Sequence, residues 1–136
     1  MFEFFEHTAD LGIRVRALDL HELFAEAALA LFSAILEDPT KVQSLKEVEI
    51  VLEADGYDYL LFDWLNGLLY RFETEHMVFG SFEVCIRNRR LQGVACGEPL
   101  DRSRHALSHE VKAITYHGLR AEQTPGGWLA EVIVDI

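Results

Sequence analysis

Glu131-Val132-Ile133-Val134-Asp135-Ile136 alternates as a β-strand, and Glu6-His7-Thr8-Ala9-Asp10-Leu11-Gly12 sets a carboxylate and a glycine between two further alternating segments. Side chains along a strand project alternately to its two faces. Leu129, Glu131, Ile133 and Asp135 therefore share one face, and Ala130, Val132, Val134 and Ile136 share the other. Two carboxylates on an otherwise apolar strand require an explanation. The fold is expected to be organised around a meeting of these two stretches, with Asp135 and the last residue held by structure rather than left in a tail.

Outward from them, Phe2, Phe4 and Glu6 alternate with Glu3, Phe5 and His7, and Ile13, Val15 and Ala17 alternate with Arg14, Arg16 and Leu18. This pattern predicts two short strands joined at an Asp10-Leu11-Gly12 corner, where Gly12 relieves the backbone. Asp19 reads as the N-cap of a helix running to about Glu37, with Glu22 as capping-box partner and Leu18 and Leu23 spaced as a hydrophobic staple. Leu20, Phe24, Ala27, Leu31 and Ile35 form one apolar face of this helix, and Ala25, Leu29, Phe32 and Leu36 another, so it should be largely buried. Asp38-Pro39-Thr40 ends it.

Val48, Ile50 and Leu52 alternate with Glu47, Glu49 and Glu53, predicting a strand with one wet, acidic face. A second helix is expected from about Tyr57 to Glu75, burying Leu61, Trp64, Leu65, Leu68 and Phe72. Asp63 and Glu73 fall on its solvated side. From Met77 the period returns to two, and Asn88-Arg89-Arg90 turns the chain into a strand around Leu91 to Cys96. Gly97 to His109 reads as an irregular polar connection. Val111 to Leu119 reads as a strand, and Thr124-Pro125-Gly126-Gly127 turns it into the final one. The expected class is α+β: a single domain over residues 1–136, with two main helices packed on a mostly antiparallel β-sheet.

Composition narrows the function classes. The 136 residues fit one domain, and a hydrophobic fraction of 50% argues against disorder. No apolar run is long enough to cross a membrane and no signal peptide is visible, so a cytoplasmic protein is expected. Cys85 and Cys96 form neither a CxxC motif nor a zinc set and read as ordinary reduced residues. Twelve Lys and Arg against 23 Asp and Glu give a net charge of -11, which disfavours strong direct nucleic-acid binding. Such a protein is suited to a basic protein partner or to cations.

The candidate chemistry follows from the carboxylates. If Asp10 and Asp135 are neighbours, they supply hard oxygen ligands for Ca²⁺, Mg²⁺ or Mn²⁺, and a terminal oxygen of Ile136 can add another. The plainer alternative makes Asp10 a turn stabiliser and Asp135 a solvated strand end. His7 and His117 read as half-buried side chains on separate short strands, with Lys112 on the opposite face from His117. Arg87, Arg89 and Arg90 form a basic spot that either keeps a hairpin soluble or contacts a nucleotide or a partner acid. No Walker loop, Ser-His-Asp order or HExxH is present, so no strong motif indicates an enzyme.

The blocks Glu6 to Ile13, Asp63 to Tyr70, Val111 to Leu119 and Ala130 to Ile136 together resemble the archease family, small acidic proteins associated with the tRNA-splicing RNA ligase. The resemblance implies a divalent-cation site, calcium-binding in the family, made here by Asp10, Asp135 and the main-chain oxygen of Ile136. It implies a non-catalytic protein cofactor that promotes guanylylation and multiple turnover of the RNA ligase in tRNA splicing and RNA repair. Lys112 and His117, in a family-like block, are then possible partner contacts. Two rival expectations are a chaperone-like modulator of tRNA-modifying enzymes and a metal-dependent hydrolase.

Overall fold

The period-two segments form strands and the period-3.6 segments form helices. A computed structural model describes residues 1–136 as β1 (Phe2–His7), β2 (Asp10–Ala17), α1 (Leu20–Ile35), β3 (Lys46–Glu53), α2 (Tyr57–Glu75), β4 (Met77–Arg87), β5 (Arg90–Pro99), β6 (Ala113–Ile114), β7 (Arg120–Thr124) and β8 (Gly127–Asp135). Every strand pair is antiparallel, but the strands divide into two sheets rather than one. The first has the order β1-β2-β8-β6, with β7 also on β8, and the second has the order β3-β5-β4.

The helix α1 fills the space between the sheets, packing on β2 and β8 of one and β4 of the other. Its start is set by Asp19, whose Oδ1 accepts the Glu22 N–H at 2.8 Å. Leu23, Phe24, Ala27, Leu31, Phe32 and Ile35 are all at most 1% exposed, so both expected apolar faces are used. The staple is not: Leu18 is 80% exposed while Leu23 is fully buried. The helix α2 is latched to α1 by Trp64, whose indole N–H donates to the Phe24 carbonyl at 2.9 Å. Around it Phe32 meets Phe72, Phe79 and Phe82 with ring centroids 5.5 to 6.5 Å apart, within the range of favourable aromatic pairs.

Three local expectations are corrected. The first turn lies at Thr8-Ala9, not at Asp10-Leu11-Gly12: His7 pairs Asp10 directly and Ala9 takes the positive φ of 64°. Gly12 instead lies inside β2 opposite Phe5, where a Cβ would come within 2.3 Å of the Phe5 ring. Its missing side chain lets Phe5 lie across the sheet under the Arg14 guanidinium, 4.6 Å from the ring centroid. The expected Val111–Leu119 strand shrinks to Ala113–Ile114. Both the N–H and the Oγ1 of Thr115 bond the Ile133 carbonyl, at 3.0 and 2.8 Å, and the chain leaves the sheet until β7. A hydroxyl competing for a ladder carbonyl is a known way to end a strand.

The connection from Gly97 to His109 is more ordered than its polarity implied. Glu98, 2% exposed, accepts the Gln43 N–H at 2.7 Å and the His105 Nε2–H at 3.0 Å, and is ion-paired with Arg104. The His105 Nδ1 in turn accepts the Asp101 N–H at 2.9 Å. This network fastens the connection to β5. The hydrogen bond from Arg104 comes first among the causes that hold the Glu98 carboxyl at about 2, below its ordinary 4.5. A carboxyl depressed by folding stabilises the protein above its unfolded value and loses that contribution as the pH falls through the folded value. Urea unfolding is therefore expected to show Glu98→Gln about 3 kcal/mol less stable than wild type near neutral pH, with the gap narrowing as the pH falls from 4.5 toward 2. A gap constant over that window would contradict this assignment.

Candidate functional site

The register of β2 on β8 places Asp10 directly opposite Asp135. Opposed residues of an antiparallel pair point to the same face. His7 is paired with Asp10 on one side and Ala113 with Asp135 on the other, so His7, Asp10, Asp135 and Ala113 make one row across the outer face. On the inner face Leu11, Ile13 and Val15 oppose Val134, Val132 and Ala130 against the core.

A second acidic position on the same face shows what is distinctive about this row. Glu131 bonds Arg14 Nη2 at 2.7 Å and Arg120 Nε at 2.6 Å. These arginines reach on to Glu3 at 3.2 Å and Glu122 at 2.9 Å, giving a chain of alternating charge. Partial burial works to raise the Glu131 carboxyl, but the bonds from Arg14 and Arg120 outweigh it and hold the group below the usual carboxylate range. Of the two carboxylates that the final strand carries, Glu131 is thus accounted for by arginines. Asp10 and Asp135 have no lysine or arginine nitrogen within 4.0 Å; the one basic neighbour is His7, 3.6 Å from Asp10 Oδ2. Like charges placed opposite one another destabilise a strand pair, and this pair has no lysine or arginine to offset that.

His7 marks the same row. Its Nδ1 is buried with no hydrogen-bond partner, and 3.6 Å to Asp10 is too long for a hydrogen bond. The His117 ring lies 5.0 Å from the His7 ring, carried there by the excursion between β6 and β7. Lys112 reaches the row through its backbone, donating its N–H to the Asp135 carbonyl at 2.7 Å, while its side chain is exposed. Ile136, half-buried, follows Asp135 directly.

The structure thus brings Asp10, Asp135 and Ile136 to one end of the sheet, with His117 beside them and Lys112 fixed by its main chain. His7 is the member that sequence reading did not join to them, because its pairing with Asp10 appears only once the turn is placed at Thr8-Ala9. The donor chemistry fits a hard cation: two carboxylates with main-chain oxygens next to them. It does not amount to a cage, since no group of three or more His, Cys, Asp or Glu side chains is arranged to hold an ion. Main-chain oxygen from Ile136, or solvent, has to complete any coordination.

A profile of the Archease protein family matches residues 2–136. The archease of Pyrococcus furiosus is 41% identical over 140 residues, covering 99% of this chain and 98% of its own. That of Methanopyrus kandleri is 42% identical over 139 residues, covering 99% of each. Among solved structures, protein 1598 of Methanobacterium thermoautotrophicum superimposes with a TM-score of 0.87 at 35% identity, covering 99% of this chain and 98% of its own. An archease from Thermotoga maritima, described as a possible chaperone, shares the fold at a TM-score of 0.66 and 20% identity, covering 100% of this chain and 98% of its own. With the family profile matched along almost its whole length, this chain belongs to the archease family.

Proposed function

We propose that this chain is a non-catalytic protein cofactor of the tRNA-splicing RNA ligase. It promotes guanylylation and multiple turnover of that enzyme through a divalent cation held by Asp10, Asp135 and Ile136. The observation that carries the reading is the Asp10–Asp135 pair, opposed across β2 and β8 with no lysine or arginine to neutralise it, while Glu131 on the same face has two arginines. The choice of the ligase as partner rests on the resemblance to the archease family. A cation bound there, Ca²⁺ or alternatively Mg²⁺ or Mn²⁺, contributes positive charge and open coordination positions at the rim of the sheet. The chain's own part is to fix the two carboxylates by strand register, with His7 and His117 beside them and Lys112 holding the end of β8.

A net charge of -11 suits docking beside a basic RNA channel of the ligase, through a complex weakened by salt. Lys112 and His117 are contacts for the ligase on this reading, both being exposed next to the carboxylate row.

Two outcomes are expected. In a chelator, Asp135→Asn melts at or above the wild-type temperature, because it removes a like-charge opposition. Saturating calcium then raises the wild-type midpoint by about 5 °C and leaves the variant unmoved, as read by differential scanning calorimetry. In single- and multiple-turnover ligation with the cognate ligase, the wild type stimulates guanylylation, and Asp10→Ala and Asp135→Ala, checked for folding, each lose at least about tenfold of the stimulation, a transition-state difference of roughly 1.4 kcal/mol. Full stimulation by both variants, or none by the wild type, removes the ligase reading. Protection of unrelated clients from aggregation in its place favours the chaperone reading.

A further inference from the structure

The tip of the β4–β5 hairpin carries a second chemistry. Arg87 and Arg90 are paired directly across the strands, and the residues joining them, Asn88 and Arg89, both have positive φ, at 50° and 64°. Two successive left-handed residues in a two-residue loop mark a type I′ turn, whose second position is ordinarily glycine. Arginine there carries a Cβ into left-handed space, which glycine occupies at no steric cost. The opposed Arg87 and Arg90 add like-charge repulsion. Backbone and electrostatics therefore both disfavour arginine at this tip, yet three of the chain's 12 basic residues are gathered on it.

Their partners within the fold are few. Arg89 Nη1 donates to the Asp55 carbonyl at 3.3 Å, and the Arg89 carbonyl accepts the Ala54 N–H at 3.3 Å, tethering the turn to the corner before α2. Arg90 has the Glu53 carboxylate at 3.9 Å, with both side chains more than half exposed. Arg87 and Arg89 have no carboxylate oxygen within 4.0 Å, unlike Arg14, Arg104 and Arg120.

The tip also lies away from the carboxylate row. The Ile86 N–H donates to His21 Nδ1 at 2.9 Å, in the first turn of α1. That helix begins just past Ala17, the residue paired with Trp128 at the far end of β8 from Asp135. The length of β8, roughly 25 Å, separates the two ends.

We propose that this tip grips the phosphodiester backbone of a nucleic acid, the guanidinium forks of Arg87, Arg89 and Arg90 bonding phosphate oxygens. A protein partner needs about 800 Å² on each side, and a patch of that size around the tip takes in the exposed Glu53, Asp55 and Glu83, which repel an acidic surface. A phosphodiester strand meets a protruding tip through a few phosphates alone. The same carboxylates and the overall charge keep the grip weak, with a Kd on the order of 10–100 μM at low salt. The proposal stands apart from the ligase reading, since its test involves neither ligase nor cation.

The test is fluorescence anisotropy of a labelled single-stranded oligouridylate with the full chain, titrated across salt concentration and paired with thermal melts. Wild type is expected to bind, with log affinity falling linearly against log salt. Arg87→Gln with Arg90→Gln weakens binding about tenfold or more and lowers the salt slope by about 1.4, the loss of two phosphate contacts on a single strand. Arg89→Gly weakens it several-fold while raising the melting midpoint by about 3 °C, so its loss of binding is not a loss of fold. No wild-type binding, unchanged affinity in the variants, or a lower midpoint for Arg89→Gly overturns the proposal. Displacement of the oligouridylate by polyglutamate at equal charge concentration also overturns it, in favour of an acidic protein partner.

Discussion

The pairing of β8 with β2 is the constraint on which the rest of the fold depends. The strand β8 is central in its sheet, with β2 along one edge and β6 and β7 along the other. Its inner face, Ala130, Val132 and Val134, is no more than 2% exposed and lies opposite Val15, Ile13 and Leu11. Because side chains alternate strictly, a slip of one residue turns that apolar face to solvent. The register is therefore held by core burial. The same register puts Asp10 across from Asp135, so the energy that orders the inner face enforces a like-charge opposition on the outer one.

The outer face then divides into two kinds of row. Toward its middle, Glu3, Arg14, Glu131, Arg120 and Glu122 alternate in sign and satisfy one another. At its end the carboxylates stand without arginine or lysine, beside a histidine whose Nδ1 has no partner. A sheet that neutralises its acids in one row and leaves them opposed in the next is a scaffold presenting a local negative site. The basic hairpin tip occurs at the other end, on the second sheet, where arginines are the side chains left without strong partners. The two ends are joined through one core to which both helices and both sheets contribute, so their separation is fixed by packing rather than by a linker.

Much of this was legible in the sequence. The N-cap at Asp19, the helix boundaries near Leu20 and Glu75 and the strands of β3, β4 and β5 follow from caps and periods, which are local signals. Partnership between strands is not local. Alternation states which face a residue takes but not which strand lies beside it, so two sheets read as one. The turn at Thr8-Ala9 was hidden because its positive φ falls on alanine rather than on glycine or asparagine. The break after Ile114 rests on one threonine hydroxyl, and the ordering of Gly97 to His109 rests on Glu98 meeting Arg104 and His105. Both are contacts between residues whose types alone suggested a regular strand and a solvated loop. The proximity of Asp10 and Asp135 is implied only by the family resemblance, and His7 joins them only through the pairing itself.

We propose that the opposed carboxylates form a cation site set by strand register. Isothermal titration of the metal-free chain with calcium, comparing wild type, Asp135→Asn and Glu131→Gln, decides the matter. One ion per chain is expected in the wild type, with binding lost in Asp135→Asn and retained in Glu131→Gln, whose carboxylate already belongs to Arg14 and Arg120. Binding that survives Asp135→Asn, or that is lost in Glu131→Gln while the sheet stays folded, would contradict it.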